Sequence, residues 1–131
     1  MALKIISLFL VCTMLARGES AFVNWETAPV RPLALSPDRK VLAVANLPAA
    51  RLELINVMGT VPEPMDSIPV GLDPVTVRYR NADEVWIVCR ISDAINIVRL
   101  SERRVESIVP TADEPSDVVF AGKPLRAYVS C

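Results

Sequence analysis

Five carboxylates invite a catalytic or metal-binding reading: Asp73, Asp93, Asp113, Glu114 and Asp117. Paired carboxylates perform general acid and base work, and clustered ones hold calcium. Their spacing does not follow a calcium loop, which needs acidic residues at alternate positions followed by Gly and Glu. Asp73 and the Asp113-Glu114 pair instead stand immediately before prolines, where an Asp caps a turn and the following Pro fixes φ, so structural turns are the expected role. The chain contains no histidine, which removes Ser-His and Cys-His nucleophile pairs and every His-ligated zinc or haem. Cys89 and Cys131 suggest a disulfide in an oxidising compartment. Their equivalent positions in neighbouring structural units put their Cα atoms too far apart for a bridge, so Cys89 is expected as a small buried residue and Cys131 as an exposed thiol.

Trp25, Trp86 and Tyr128 could form an aromatic cage, but Trp86 and Tyr128 occupy matching strand positions, where packing between units is the ordinary role. Trp25 lies outside the units and is expected to seal an edge or pair as a strand. Arginines are numerous, at positions 78, 80, 90, 99, 103, 104 and 126. Arg90, in a loop after a strand, is the one singled out as a ligand-binding residue, because a guanidinium holds a carboxylate or phosphate with two parallel hydrogen bonds. The alternative is a solvated surface arginine. Charges alternate in sign from Glu102 to Glu106, the pattern of an exposed turn. No catalytic residue, metal ligand or cofactor-binding residue emerges from this inventory, so the chain reads as non-enzymatic and without a cofactor.

These side chains have to be positioned by short strands. The segment from Asp73 to Thr111 contains four of them, Val75-Thr76-Val77, Val85 to Cys89, Ile95 to Leu100 and Val105 to Val109. They are rich in Val and Ile and separated by polar turns, which predicts an antiparallel meander. The same order occurs upstream: Leu33-Ala34-Leu35, the turn Ser36-Pro37-Asp38, Val41 to Ala45, a loop from Asn46 to Ala50, Leu52 to Val57, a longer turn from Met58 to Pro64, then Ser67 to Val70. Pro69 suits an outermost strand, which has no ladder hydrogen bond to lose there. Pro32, Pro74 and Pro115 are 42 and 41 residues apart, and Ala43, Trp86 and Tyr128 are 43 and 42 apart. Four strands recurring every 40 to 45 residues is the spacing of propeller blades. Eleven prolines against four glycines agree with many short, punctuated elements.

The run Tyr128-Val129-Ser130 and its counterparts Ala43-Val44-Ala45-Asn46 and Trp86-Ile87-Val88-Cys89 resemble the Tyr-Val-Thr-Asn motif of YVTN-type β-propeller repeats, found in secreted and cell-surface proteins of bacteria and archaea. Leu33 to Asp38 is similar to that family's opening strand and turn, and Ile68 to Pro74 to its blade-to-blade link. The resemblance covers about residues 28–131 and implies an all-β partial β-propeller: two four-stranded antiparallel blades, about 28–71 and 72–112, plus the first half of a third, 113–131. The final Asn of the motif is kept as Asn46, while Cys89 and Cys131 replace it later. Propellers close with 4 to 8 blades, so the chain is expected either as a fragment of a longer propeller or as a chain that finds missing strands elsewhere, with self-association through its open edges.

Residues 1–21 carry Lys4, an apolar run beginning at Ile5 and reaching Ala16, and then small and polar residues, the order of a secretory signal helix. Cleavage after Gly18 or after Ala21 fits, and an uncleaved membrane anchor is the other reading. The run is shorter than a spanning helix requires. The mature domain, 22–131, is therefore expected to be secreted, periplasmic or at the cell surface, without membrane insertion. With 52% hydrophobic and 22% charged residues the full chain is not disordered, and its net charge of −1 argues against nucleic acid as a partner. The function implied is a non-catalytic exported scaffold that binds a protein or surface ligand. The rival is the leading part of a larger propeller enzyme, lactonase-like or haem- or quinone-dependent, whose active residues lie beyond this chain.

Overall fold

Ten strands form three antiparallel sheets in the computed structural model, which describes residues 27–131. The predicted signal helix and Trp25 lie outside those residues. Blade 1 contains β1 (Leu33–Leu35), β2 (Val41–Asn46), β3 (Arg51–Asn56) and β4 (Glu63–Pro69) in that spatial order. Blade 2 repeats it with β5 (Pro74–Tyr79), β6 (Glu84–Cys89), β7 (Ala94–Arg99) and β8 (Arg104–Pro110). The half-blade pairs β9 (Asp117–Ala121) with β10 (Arg126–Ser130). The meander is thus where the sequence places it, and the arrangement is a partial β-propeller.

The turns explain how a chain with four glycines makes so many reversals. Ala50, Asp93 and Arg103 adopt positive φ (51°, 47° and 54°) at the fourth position of turns closed by Ala50 N–H to Leu47 O, Asp93 N–H to Arg90 O and Arg103 N–H to Leu100 O, each 3.2 Å. A left-handed residue after a tight turn restores strand pairing. The Ser36-Pro37-Asp38 turn is held by the Ser36 hydroxyl, which donates to Asp38 Oδ1 at 2.6 Å and accepts from the Lys40 and Val41 amides. Most strand ends differ from the sequence reading by a residue or two, and β4 differs most: Glu63 and Pro64, expected in the long turn, belong to it. The register shifts beside Ile55, so Pro64 pairs there within a bulge on an outermost strand, where its missing N–H costs nothing.

Both faces of blade 2 are buried. Towards blade 1, Val77, Val85, Ile87 and Val98 pack against Ala43, Leu52, Leu54 and Ile68. Towards the half-blade, Val75, Val88 and Ile95 pack against Val118, with Trp86, Phe120 and Val129 alongside. A register shift between Pro74 and Thr76 accompanies Val75 joining this second face. Trp86 and Phe120 meet edge to face at 5.1 Å, the geometry their ring quadrupoles favour. Each fully buried Val or Ile contributes about 1.5–3 kcal/mol. Inner-strand backbones also bridge the blades, with Val30 N–H donating to Val75 O and Val77 N–H to Arg31 O, both 3.0 Å.

The link between blades 1 and 2 is clamped by blade 2. The Gly71 amide donates to Asn96 Oδ1 at 2.8 Å and the Leu72 amide to Ser92 Oγ at 2.7 Å. Gly71 lies so close to the sheet that a Cβ there would stand 2.9 Å from Ser92 Oγ and 3.0 Å from Cys89 Cβ. At the opposite end of blade 2, the buried Glu84 accepts from Trp86 Nε1 at 2.6 Å and from Arg80 at 3.0 Å. Burial alone pushes its carboxyl up, but the indole and guanidinium outweigh it and hold it below its ordinary 4.5.

Two outcomes follow from this packing. Gly71→Ala should lower stability in chemical denaturation by about 1–3 kcal/mol, the cost of overpacking, whereas Gly59→Ala, whose nearest neighbour stands at 3.4 Å, should stay within about 0.5 kcal/mol. Because Glu84 titrates lower folded than unfolded, its contribution is complete above 4.5 and is lost as pH falls through the folded value. Melting between pH 6 and pH 3 should therefore fall less steeply for Glu84→Gln than for the parent chain, from a lower starting point.

Candidate functional site

Antiparallel alternation brings the β2–β3 turn, the β4–β5 link, the β6–β7 turn and the β8–β9 link to one rim of the arc. Arg90 opens the β6–β7 turn on that rim, and its amide donates to Asp73 O at 2.9 Å. The turn is knitted to the next link: Thr111 N–H donates to Asp93 O and Glu114 N–H to Asp93 Oδ1, both 2.9 Å. Between the two lies a polar cleft of about 510 Å³ lined by Thr27, Arg90, Ile91, Asp93, Asp113 and Glu114. The Arg90 guanidinium stands 3.8 Å from the largely exposed Glu114 carboxylate, a separation at which an exposed pair contributes little. Its Nε is buried and has no hydrogen-bond partner among the described residues. Three carboxylates and one guanidinium therefore share a cleft that the sequence could offer only as scattered residues.

The carboxylates divide by the backbone positions they hold. Asp73, Asp93 and Glu114 occupy left-handed turn positions (φ 57°, 47° and 50°), the structural role their sequence context predicts. Asp73 is also buried, at 5% exposure, and its Oδ2 has no partner among the described residues. Asp117 is no turn residue: it begins β9 and bridges blades, 3.1 Å from Arg31 and 3.2 Å from Arg78. The signal available in the sequence was its spacing of 39 residues from Arg78, close to one repeat, but nothing in either residue's surroundings marked them as partners. Among the described residues no group of three or more Cys, Asp or Glu is arranged to hold a metal ion.

Most of the remaining arginines are engaged in ion pairs: Arg80 with Glu84, Arg99 with Glu106 and Asp83, Arg103 with Asp66, and Arg104 with Glu102. Arg126 lies on exposed β10. Cys89 and Cys131 are both free, the first buried and the second exposed. Burial pushes the Cys89 thiol up to about 12, so it keeps its proton and is no nucleophile. Trp86 packs between blades as its register predicts, while Tyr128 at the matching position is 53% exposed.

The fold and rim can be set beside known proteins. No protein-family model and no curated protein matches the chain. Among solved structures, a hydrazine synthase of Kuenenia stuttgartiensis superposes with a TM-score of 0.71 over 87% of this chain at 16% identity. Hsv2 of Kluyveromyces lactis gives 0.51 over 72% at 14% identity. This chain spans 32% and 28% of those two chains. Both are β-propeller proteins, and at these identities the likeness shows the fold: this chain is built as an arc of a β-propeller.

Proposed function

We propose that this chain is the leading part of an exported, non-catalytic β-propeller scaffold of YVTN-type repeats, and that its loop rim docks a protein partner at the cell envelope. The observation that carries the reading is the rim cleft, where Arg90 is held beside Glu114 with Asp93 and Asp113 at hand. Both charge signs in one cleft suit a surface that also carries both, which is the chemistry of a protein loop, with Arg90 receiving one of its carboxylates bidentately. The apolar run from Ile5 to Ala16, preceded by Lys4, supports export. The buried, protonated Cys89 offers no nucleophile.

The superposition on a hydrazine synthase supports a second reading, in which the arc belongs to a larger propeller enzyme or redox-associated protein and the reacting groups lie in other parts of it. Arg90 separates the two readings. Chemical cross-linking of intact cells, followed by recovery of the tagged protein, should yield a cross-linked partner with the parent. Arg90→Ala should reduce that product at least 10-fold at unchanged expression, and Arg90→Lys should restore only part of it, because an ammonium cannot make the paired contact. An unchanged yield in Arg90→Ala removes the rim from the docking surface.

A further inference from the structure

We infer that Arg31 is a positioning residue for the rim cleft: it ties together the two walls, Thr27 on one side and Asp113 with Glu114 on the other, between which Arg90 is offered. The inference rests on the docking role proposed for the rim. It starts from two prolines. Ala28 and Arg31 stand immediately before Pro29 and Pro32, which favours extended backbone at both, and between the prolines only Val30 and Arg31 have amides to donate. Both donate to Val75 O, at 3.0 and 3.1 Å, and Val77 N–H donates to Arg31 O at 3.0 Å. Arg31 is thereby bridged in parallel to Thr76. Residues 27–31 lie as a strap on the edge of β5 that does not pair with β6.

The Arg31 side chain carries the strap past blade 2. Its Nε stands 3.1 Å from Asp117 Oδ2, so a residue leading into blade 1 holds the first residue of β9 directly. Asp117 ends the link that carries Asp113 and Glu114, and Pro115 between them has a fixed φ. The same link is tied to the β6–β7 turn by the amides of Thr111 and Glu114 on Asp93. Four residues before Arg31, Thr27 lines the cleft from the other side. One guanidinium that does not line the cleft therefore connects both of its walls.

Arg78, the second partner of Asp117, has a different part. It belongs to β5 and donates to both Asp117 oxygens, at 3.3 and 3.2 Å, so it secures β9 on blade 2 whether or not the strap is in place. The Arg31 side chain is 56% exposed against 26% for Arg78, and an exposed pair adds little to stability and weakens in salt. Removing the Arg31 guanidinium should loosen the walls of the cleft without unfolding the blades.

Hydrogen exchange on the full chain tests this without any partner. In Arg31→Ala the amides of Val30, Thr111 and Glu114 should exchange at least threefold faster than in the parent. The amides of β6 should keep their rates, and the melting temperature should stay within about 4 °C. Arg31→Lys, which keeps a cation within reach of Asp117, should restore the parent rates. Sodium chloride at about 0.5 M should move the parent towards the Arg31→Ala rates and leave that variant unchanged. In the cross-linking assay Arg31→Ala should lower the partner yield at least threefold with Arg90 intact. Parent rates at Thr111 and Glu114 in Arg31→Ala would overturn the proposal, and so would β6 amides that accelerate equally, which would make Arg31 a part of the general packing. An Arg90→Ala yield equal to the parent's strikes the docking role of the rim instead, and the exchange rates then judge Arg31 by themselves.

Discussion

Everything in this molecule depends on one requirement: a four-stranded blade that is apolar on both faces has to be sandwiched between neighbours. An antiparallel sheet commonly leaves one face to water and alternates apolar with polar residues. Blade 2 does not, since Val77 and Ile87 on one face and Val88 and Ile95 on the other are all out of solvent. Blade 2 can exist only because blade 1 covers one side and the half-blade the other. At the ends of the arc the same pattern meets no neighbour among the described residues. Leu33 and Leu35, at the register of Val77 and Tyr79, are 57% and 45% exposed, and Val44 and Ile55 line an open apolar cleft of about 390 Å³.

That requirement also organises the polar groups. Where blades meet, Arg78 pairs with Asp117 and Thr76 Oγ1 donates to Ser116 O, each across about one repeat, and the Gly71 link is held by Asn96. These contacts orient one sheet on the next while the apolar side chains supply the attraction. The rim is the product of that stacking. Its loops are short and internally bonded, and they bring Arg90 and Glu114 together because adjoining blades set the β6–β7 turn against the β8–β9 link. A rigid frame presenting variable loops is a general basis for recognition.

Much of the fold was legible in the sequence because its signals are local. The Val and Ile runs, the Ser36-Pro37-Asp38 turn and the recurring prolines mark strands and their ends, and their spacing gives the repeat. The bulge that admits Pro64 to β4 was not legible, since a bulge depends on the partner strand. Nor was the bridging role of Asp117, which read as one more carboxylate near a proline until blade stacking brought it against Arg31 and Arg78. Arg90 was distinguished by its loop position alone, and its three acidic neighbours come partly from a link some twenty residues away. Long-range pairings of single polar residues leave no periodic trace.

The claim that the arc is a part of a closed or extended assembly is tested most directly by the mass of the native particle, measured by light scattering on protein purified under mild conditions from its source. The particle should lie well above the 14.4 kDa of this chain, because the end faces of the arc must be covered. A monodisperse particle of 14.4 kDa or less that melts in a single cooperative transition would contradict it, since two and a half blades would then be stable with both apolar ends in water.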